Sequence, residues 1–194
     1  MIKDTPCVLF AGGKSSRMGE DKSLLPFGNE KTLTEFQLKR LEKIFHKVYI
    51  SCKSASKFDF KADYIEDEKS YSISAPTLGF YSALKQTEAE ALFVLSVDTP
   101  FVSHKEILEL IEVFNQGNYE AVIAKTDTGV HPLCGIYSHS LLKSFEKMLV
   151  ENNHRLGQML KESNTKYLYF ENEESFTNLN HPHEYQEALK KMPR

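Results

Sequence analysis

The sequence predicts an α/β fold of three layers, built on a mostly parallel sheet with an antiparallel insertion late in the chain. Three observations lead there. Short β-rich runs alternate with helical patterns through the first two thirds of the chain. The first apolar run passes straight into a glycine-rich, cation-bearing loop. Two strand-like runs then follow one another with only a turn-rich segment between them, which strict alternation does not provide.

The first strand is expected at Cys7 to Ala11, followed by the loop Gly12-Gly13-Lys14-Ser15-Ser16-Arg17-Met18-Gly19. Thr32 then opens a helical pattern. Leu33, Phe36, Leu41, Ile44 and Phe45 fall roughly on one face, and Glu35 stands three residues after Thr32 as in a capping box. Strands follow at Lys47 to Cys52 and Asp63 to Glu66. A helix opens near Ala75-Pro76-Thr77-Leu78-Gly79-Phe80 and continues through Tyr81, Ala83 and Leu84. Ala91 to Val97 is a strand buried on both faces, and Ser103 with Glu106 repeats the capping-box spacing before Ile107, Leu110, Ile111 and Phe114. The strands Glu120 to Ala124 and Pro132 to Ser138 flank Thr126-Asp127-Thr128-Gly129, which marks the antiparallel insertion. Helices at Leu141 to Val150 and Arg155 to Leu160, a strand at Tyr167 to Phe170 and a helix at His183 to Lys191 complete the pattern. The expected architecture is Rossmann-like, with ligands at the C-terminal ends of the parallel strands.

Composition narrows the function. A chain of 194 residues with 41% apolar content has the length of one α/β domain, so residues 1–194 are expected to form a single domain. The net charge is only −3 with both signs interspersed, which argues against a nucleic-acid partner. The N-terminal segment lacks the pattern of a secretion signal. Apolar runs fall far short of the roughly 20 residues that span a bilayer, so no membrane association is expected. Cys7, Cys52 and Cys134 are odd in number, widely spaced and without C-x-x-C, which indicates neither a disulfide framework nor a structural zinc and fits a reducing cytoplasm.

The glycine-rich loop carries the chemistry. Adjacent glycines let backbone N–H groups approach phosphate oxygens, while Arg17 and Lys22 supply positive charge. A P-loop would need a glycine five positions before Gly13, where Val8 stands. A G-x-G-x-x-G fingerprint fails too, because after Gly13 the next glycine is Gly19. Lys22 is placed to neutralise charge on α- and β-phosphates and on a departing pyrophosphate.

Asp98 ends the buried run Leu92-Phe93-Val94-Leu95-Ser96-Val97, at the edge where ligands bind. A carboxylate there suits Mg²⁺, which takes one or two protein carboxylates and fills its remaining sites with phosphate and water; it equally suits a turn beside Pro100. Asp67 leaves the Asp63 to Glu66 strand at the same edge, as an acceptor for a base or ribose or as part of a solvated acidic turn. Gly79 admits close approach of a ligand or of a neighbouring part of the chain. His131 opens the inserted strand, as a site residue or a structural one. His181-Pro182-His183 lacks a third ligand in a recognisable spacing and is not read as a metal site.

Residues Phe10 to Lys22 resemble the nucleotidyltransferase signature L-A-G-G-x-S-x-R-M-G-x-D-K, with Phe10 in place of the first leucine. Together with Val97-Asp98-Thr99-Pro100, His131-Pro132 and Asn178-Leu179-Asn180-His181-Pro182-His183-Glu184, the chain resembles the molybdenum cofactor guanylyltransferases over nearly its whole length. The resemblance implies GTP and molybdopterin as substrates, Mg²⁺ as cofactor, and proteins that deliver or accept the molybdenum cofactor as partners. It implies nucleotide contacts at Phe10, Ala11 and Gly12, phosphate contacts at Lys22, guanosine contacts at Ser51 and Asp67, and metal binding at Asp98, while Gly13 and Gly79 join the nucleotide-binding candidates from the loop and helix reading. Arg17, Lys22 and Asp98 are the catalytic candidates, and His131, Asn178 and Asn180 the acceptor-binding ones. Ser51, Ala75, His181 and His183 depart from the family's usual asparagine, glycine, threonine or serine, and glutamate, which leaves base choice open between GTP and CTP. A sugar-phosphate acceptor and a non-catalytic nucleotide-binding protein are the alternatives.

Overall fold

The structure, a computed structural model, describes residues 1–13, 19–71, 73 and 75–192. Its strands are β1 (Cys7–Phe10), β2 (Val48–Cys52), β3 (Asp63–Glu66), β4 (Ala91–Ser96), β5 (Ala121–Thr126), β6 (Gly129–Ser138) and β7 (Thr165–Tyr169). The helices are α1 (Leu33–Leu41), α2 (Pro76–Thr87), α3 (His104–Gln116), α4 (Leu142–Val150), α5 (Leu156–Glu162) and α6 (Pro182–Lys191). The strands form one sheet in the order β3-β2-β1-β4-β6-β5-β7. β6 runs against both its neighbours, and the remaining pairs are parallel. This is the mostly parallel sheet with an antiparallel insertion that the sequence predicts.

Alternation along β1 divides the core. Cys7 and Leu9 face a layer made by α1, α3 and α6, whereas Val8 and Phe10 face α2, α4 and α5. On the second face Phe80 stacks on Phe145 with ring centroids 4.8 Å apart and meets Tyr137 at 4.5 Å. These fully buried rings tie α2 and α4 to β6.

Two expectations shift at their ends. The first helix stops at Leu41, because the Leu41 carbonyl accepts from both Ile44 and Phe45 N–H while the Ile2 carbonyl captures His46 N–H. Ile44 and Phe45 stay on the apolar face as a buried turn, which explains why they fit the helical period. β6 begins at Gly129, ahead of Pro132. Its register against β5 steps between Ile123 and Ala124, whose partners are Gly135 and His131, so Pro132 falls within the bulge where its missing N–H costs no ladder bond.

The order of strands reverses at β1, with β2 on one side and β4 on the other. A crevice outside the strand ends at such a switch point is where doubly wound sheets bind ligands. Two loops meet there: the glycine-rich loop after β1 and the segment after β4. They are joined at the base by Val97 N–H donating to the Phe10 carbonyl at 3.0 Å.

Candidate active site

Asp98 lies directly beyond β4 and is 9% exposed. Ser96 Oγ donates to its Oδ1, and Lys22 Nζ pairs with its Oδ2. Ser96 and Asp98 are two residues apart at a strand end, so the strand's own period places them on one side. Lys22 reaches the site from a short 3₁₀ turn, Lys22–Leu24, whose N-cap Asp21 accepts from Ser23 N–H at 3.1 Å and Ser23 Oγ at 2.7 Å. Lys22 Nζ also donates to Asn180 Oδ1 at 3.0 Å. The backbone of the same tail segment closes on this point, with Leu179 N–H donating to the Asp98 carbonyl at 2.9 Å. Three distant parts of the sequence therefore meet around Asp98, with Ser96 and Lys22 on its carboxylate, Leu179 on its main-chain carbonyl and Asn180 on Lys22.

Beside it opens a cleft of about 170 Å³ lined by Ser96, Asp98, Thr99, His131, Pro132, Phe176 and Asn178. The reversed direction of β6 is what brings His131 to this edge. Its ring stacks on Phe176 with centroids 5.0 Å apart, and its Nε2 is 2.9 Å from Thr126 Oγ1. Burial holds the His131 pKa below the ordinary histidine value, with the Glu173 charge working the other way. His131 is thus an oriented wall residue of the cleft.

Gly12 and Gly13 are exposed, with no atom of the described residues within 4 Å of where a Cβ would stand, and Gly13 has φ +135°. That combination leaves the backbone bare toward solvent. Ala11 is buried and its N–H donates to the Ser51 carbonyl at 2.9 Å. Phe10 is part of the sheet and its ring packs against Phe80 at 4.9 Å, so its contribution is to the floor of the site. Gly79 serves the same packing. A Cβ there would lie 2.7 Å from Phe10 Cε1 and 3.2 Å from Ser51 Oγ, so its absence lets α2 settle on the ends of β1 and β2. Asp67 follows β3 at the same edge, half-buried, with its N–H donating to the Cys52 carbonyl at 3.0 Å. Burial raises its carboxyl pKa, opposed by Lys53. Arg17 lies outside the described residues.

Two supporting groups were not among the candidates read from sequence. One is Ser96, legible only once β4 is known to end there. The other is the pair Gln37 and Arg40 on α1. Gln37 is fully buried, donates to the Val97 carbonyl at 3.2 Å and accepts from Arg40 Nε and Nη2 at 3.0 and 2.7 Å. Arg40 Nη1 also donates to the Val102 carbonyl, and burial pushes its pKa down to about 10. Together they brace both ends of the segment that carries Asp98. Helical spacing of i, i+3 puts the two side chains on one face, but nothing local marks a carbonyl 60 residues away as their target.

The arrangement can neutralise and orient an anion at Lys22 and the glycine backbone, and present an oriented carboxylate at the cleft lined by His131. Residues 7–166 match the model of the MobA-like NTP transferase domain family. A protein of Campylobacter jejuni subsp. doylei named molybdenum cofactor guanylyltransferase is 42% identical over 185 residues, covering 95% of each chain. One of the same name from Helicobacter pylori is 33% identical, over 97% of this chain and 94% of its own. The crystal structure of molybdopterin-guanine dinucleotide biosynthesis protein A from Archaeoglobus fulgidus shares the fold with a TM-score of 0.81, at 22% identity over 96% of this chain and 97% of that one.

Proposed function

The chain belongs to the MobA-like NTP transferase domain family, and from that premise we propose that it transfers GMP from GTP to the terminal phosphate of molybdopterin, releasing pyrophosphate and forming the guanine dinucleotide cofactor. The observation that carries this reading is the convergence of Lys22, Asp98 and Asn180 between the bare glycine backbone and the cleft. It supplies a cationic place for a triphosphate next to space for an acceptor.

The acceptor's phosphate oxygen attacks the α-phosphorus of GTP in line with the bridging oxygen to the β-phosphate. A P–O bond forms to the acceptor as that bridging P–O bond breaks, and pyrophosphate leaves with the electron pair. A phosphate monoester is already largely dianionic near neutral pH, since its second pKa is about 6, so the nucleophile needs no general base. This accords with His131, bonded to Thr126, as a wall residue. What the protein must supply is position and charge neutralisation. Lys22 meets the charge developing toward the leaving group, held by Asp98 and Asn180. The N–H groups of Gly12 and Gly13 would cradle phosphate oxygens, and Asp67 and Ser51 would serve the guanosine part.

The donor set also fits Mg²⁺. A carboxylate has about four acceptor sites, and Asp98 uses one oxygen for Ser96 and the other for Lys22, which leaves capacity for a cation shared with substrate phosphates. Among the described residues there is no cluster of three or more His, Cys, Asp or Glu that could hold a metal by itself. Bound Mg²⁺ would supply further neutralisation of phosphate charge. Asp98 would hold it, oriented by Ser96.

The test is product analysis by mass spectrometry after incubation with molybdopterin, Mg²⁺ and each of GTP, CTP, ATP and UTP. A guanine dinucleotide from GTP alone is expected; a cytosine dinucleotide, or no dinucleotide at all, would overturn the proposal. Asp98→Asn should lower turnover by at least about 100-fold with the fold intact, as loss of a charge-stabilising group in the transition state does.

A further inference from the structure

Lys57 belongs to no motif of the chain, yet its ammonium touches both ends of the glycine-rich loop. Nζ donates to the Ala11 carbonyl at 2.8 Å, to Ser23 Oγ at 2.9 Å and to Asp21 Oδ2 at 3.0 Å. Ala11 immediately precedes the glycine pair, and Asp21 and Ser23 flank Lys22. Three acceptors match the three protons of an ammonium, so the group has a defined position. Its base is fixed as well. Lys57 ends the short 3₁₀ turn Ala55–Lys57, whose Ala55 N–H donates to Glu66 Oε1 of β3 at 2.7 Å, and the ammonium lies 4.9 Å from the Phe58 ring centroid. The side chain is 26% exposed.

We propose that Lys57 is a positioning residue that closes the two ends of the glycine-rich loop on one another and so sets its affinity for the triphosphate. The inference rests on the nucleotide-binding role given to the loop above. Two physical effects combine. The clamp fixes the spacing between the Ala11 backbone, which leads into the N–H donors, and the turn that projects Lys22. It also neutralises Asp21, a carboxylate next in sequence to the lysine that would meet phosphate. Burial works to raise the Asp21 pKa, but hydrogen bonds from Ser23 and Lys57 outweigh it and favour the carboxylate. Without Lys57, an uncompensated negative charge would stand beside the polyphosphate.

Steady-state kinetics of the full chain with GTP, molybdopterin and Mg²⁺, paired with calorimetric titration of GTP, tests this. Lys57→Met should raise the KM and Kd for GTP about tenfold, the loss expected of a charge-assisted contact in a partly exposed place. It should leave the KM for molybdopterin and kcat within about twofold. Lys57→Arg, which keeps the charge but replaces a point donor with a fork, should recover part of the affinity. If Lys57→Met does not fold, Lys57→Gln should show the same GTP-selective rise, and in folded chains Asp21→Asn combined with Lys57→Met should recover part of the affinity that Lys57→Met loses. An unchanged KM for GTP in these variants, or equal losses for both substrates, would overturn the inference while leaving the reaction in place. A parent chain that neither binds nor turns over GTP would overturn both.

Discussion

Among the described residues Lys22 meets partners of two kinds, and they should differ in consequence. Asp98 supplies charge, whereas Asn180 supplies a neutral acceptor 3.0 Å away that fixes where the ammonium points. Removing Asn180 leaves Lys22 paired but less constrained. Asn180→Ala is therefore expected to lower kcat/KM about tenfold, in proportion to one hydrogen bond to a charged group. Lys22→Met should cost at least about 100-fold, because it removes the charge itself. Combined in one chain, Asn180→Ala should add little to Lys22→Met, and independent losses from the two in a double-mutant cycle would show that Asn180 acts elsewhere.

At the scale of elements, the bulge between β5 and β6 decides how the reversed strand reaches the cleft. Gly135 lies beside it, and a Cβ there would stand 2.4 Å from the Val122 carbonyl oxygen and 3.0 Å from Ile123 Cα. Backbone atoms of a central strand cannot move aside as a flexible side chain can. Gly135→Ala should destabilise the fold by roughly 1–3 kcal/mol, read as a lowered midpoint in urea; an unchanged midpoint would mean the two strands separate without cost. Sequence alone reveals why such elements exist but not how they interlock. The capping box at Ser103 and Glu106 is legible because both halves lie within one turn, and it forms with Glu106 Oε2 accepting from Ser103 N–H at 2.6 Å. The spacing at Thr32 gives half of that motif: Thr32 Oγ1 accepts from Glu35 N–H, while the Glu35 carboxylate pairs with Lys39. In the site, Lys22 and Asp98 are legible from motifs with fixed spacing. Lys57 and Gln37 are not, since their meaning depends on acceptors 46 and 60 residues away that only the folded sheet brings near.

At the scale of the whole molecule, the three cysteines report on cooperativity. Cys7, Cys52 and Cys134 are free and buried, from different strands. Burial pushes the thiols of Cys7 and Cys134 far above their ordinary range and that of Cys52 up to about 11. Because the thiolate is the reactive form, the native protein should resist thiol reagents near neutral pH, and labelling should track global opening. Rapid labelling of one cysteine in the native state would show that its strand opens on its own. The way the site is assembled also bears on how the protein is made. Asn180 comes 158 residues after the lysine it steadies, while Asp98 comes 76 after it. Both halves of the charged pair thus leave the ribosome well before the segment that steadies it, and competence for substrate becomes a late event in synthesis.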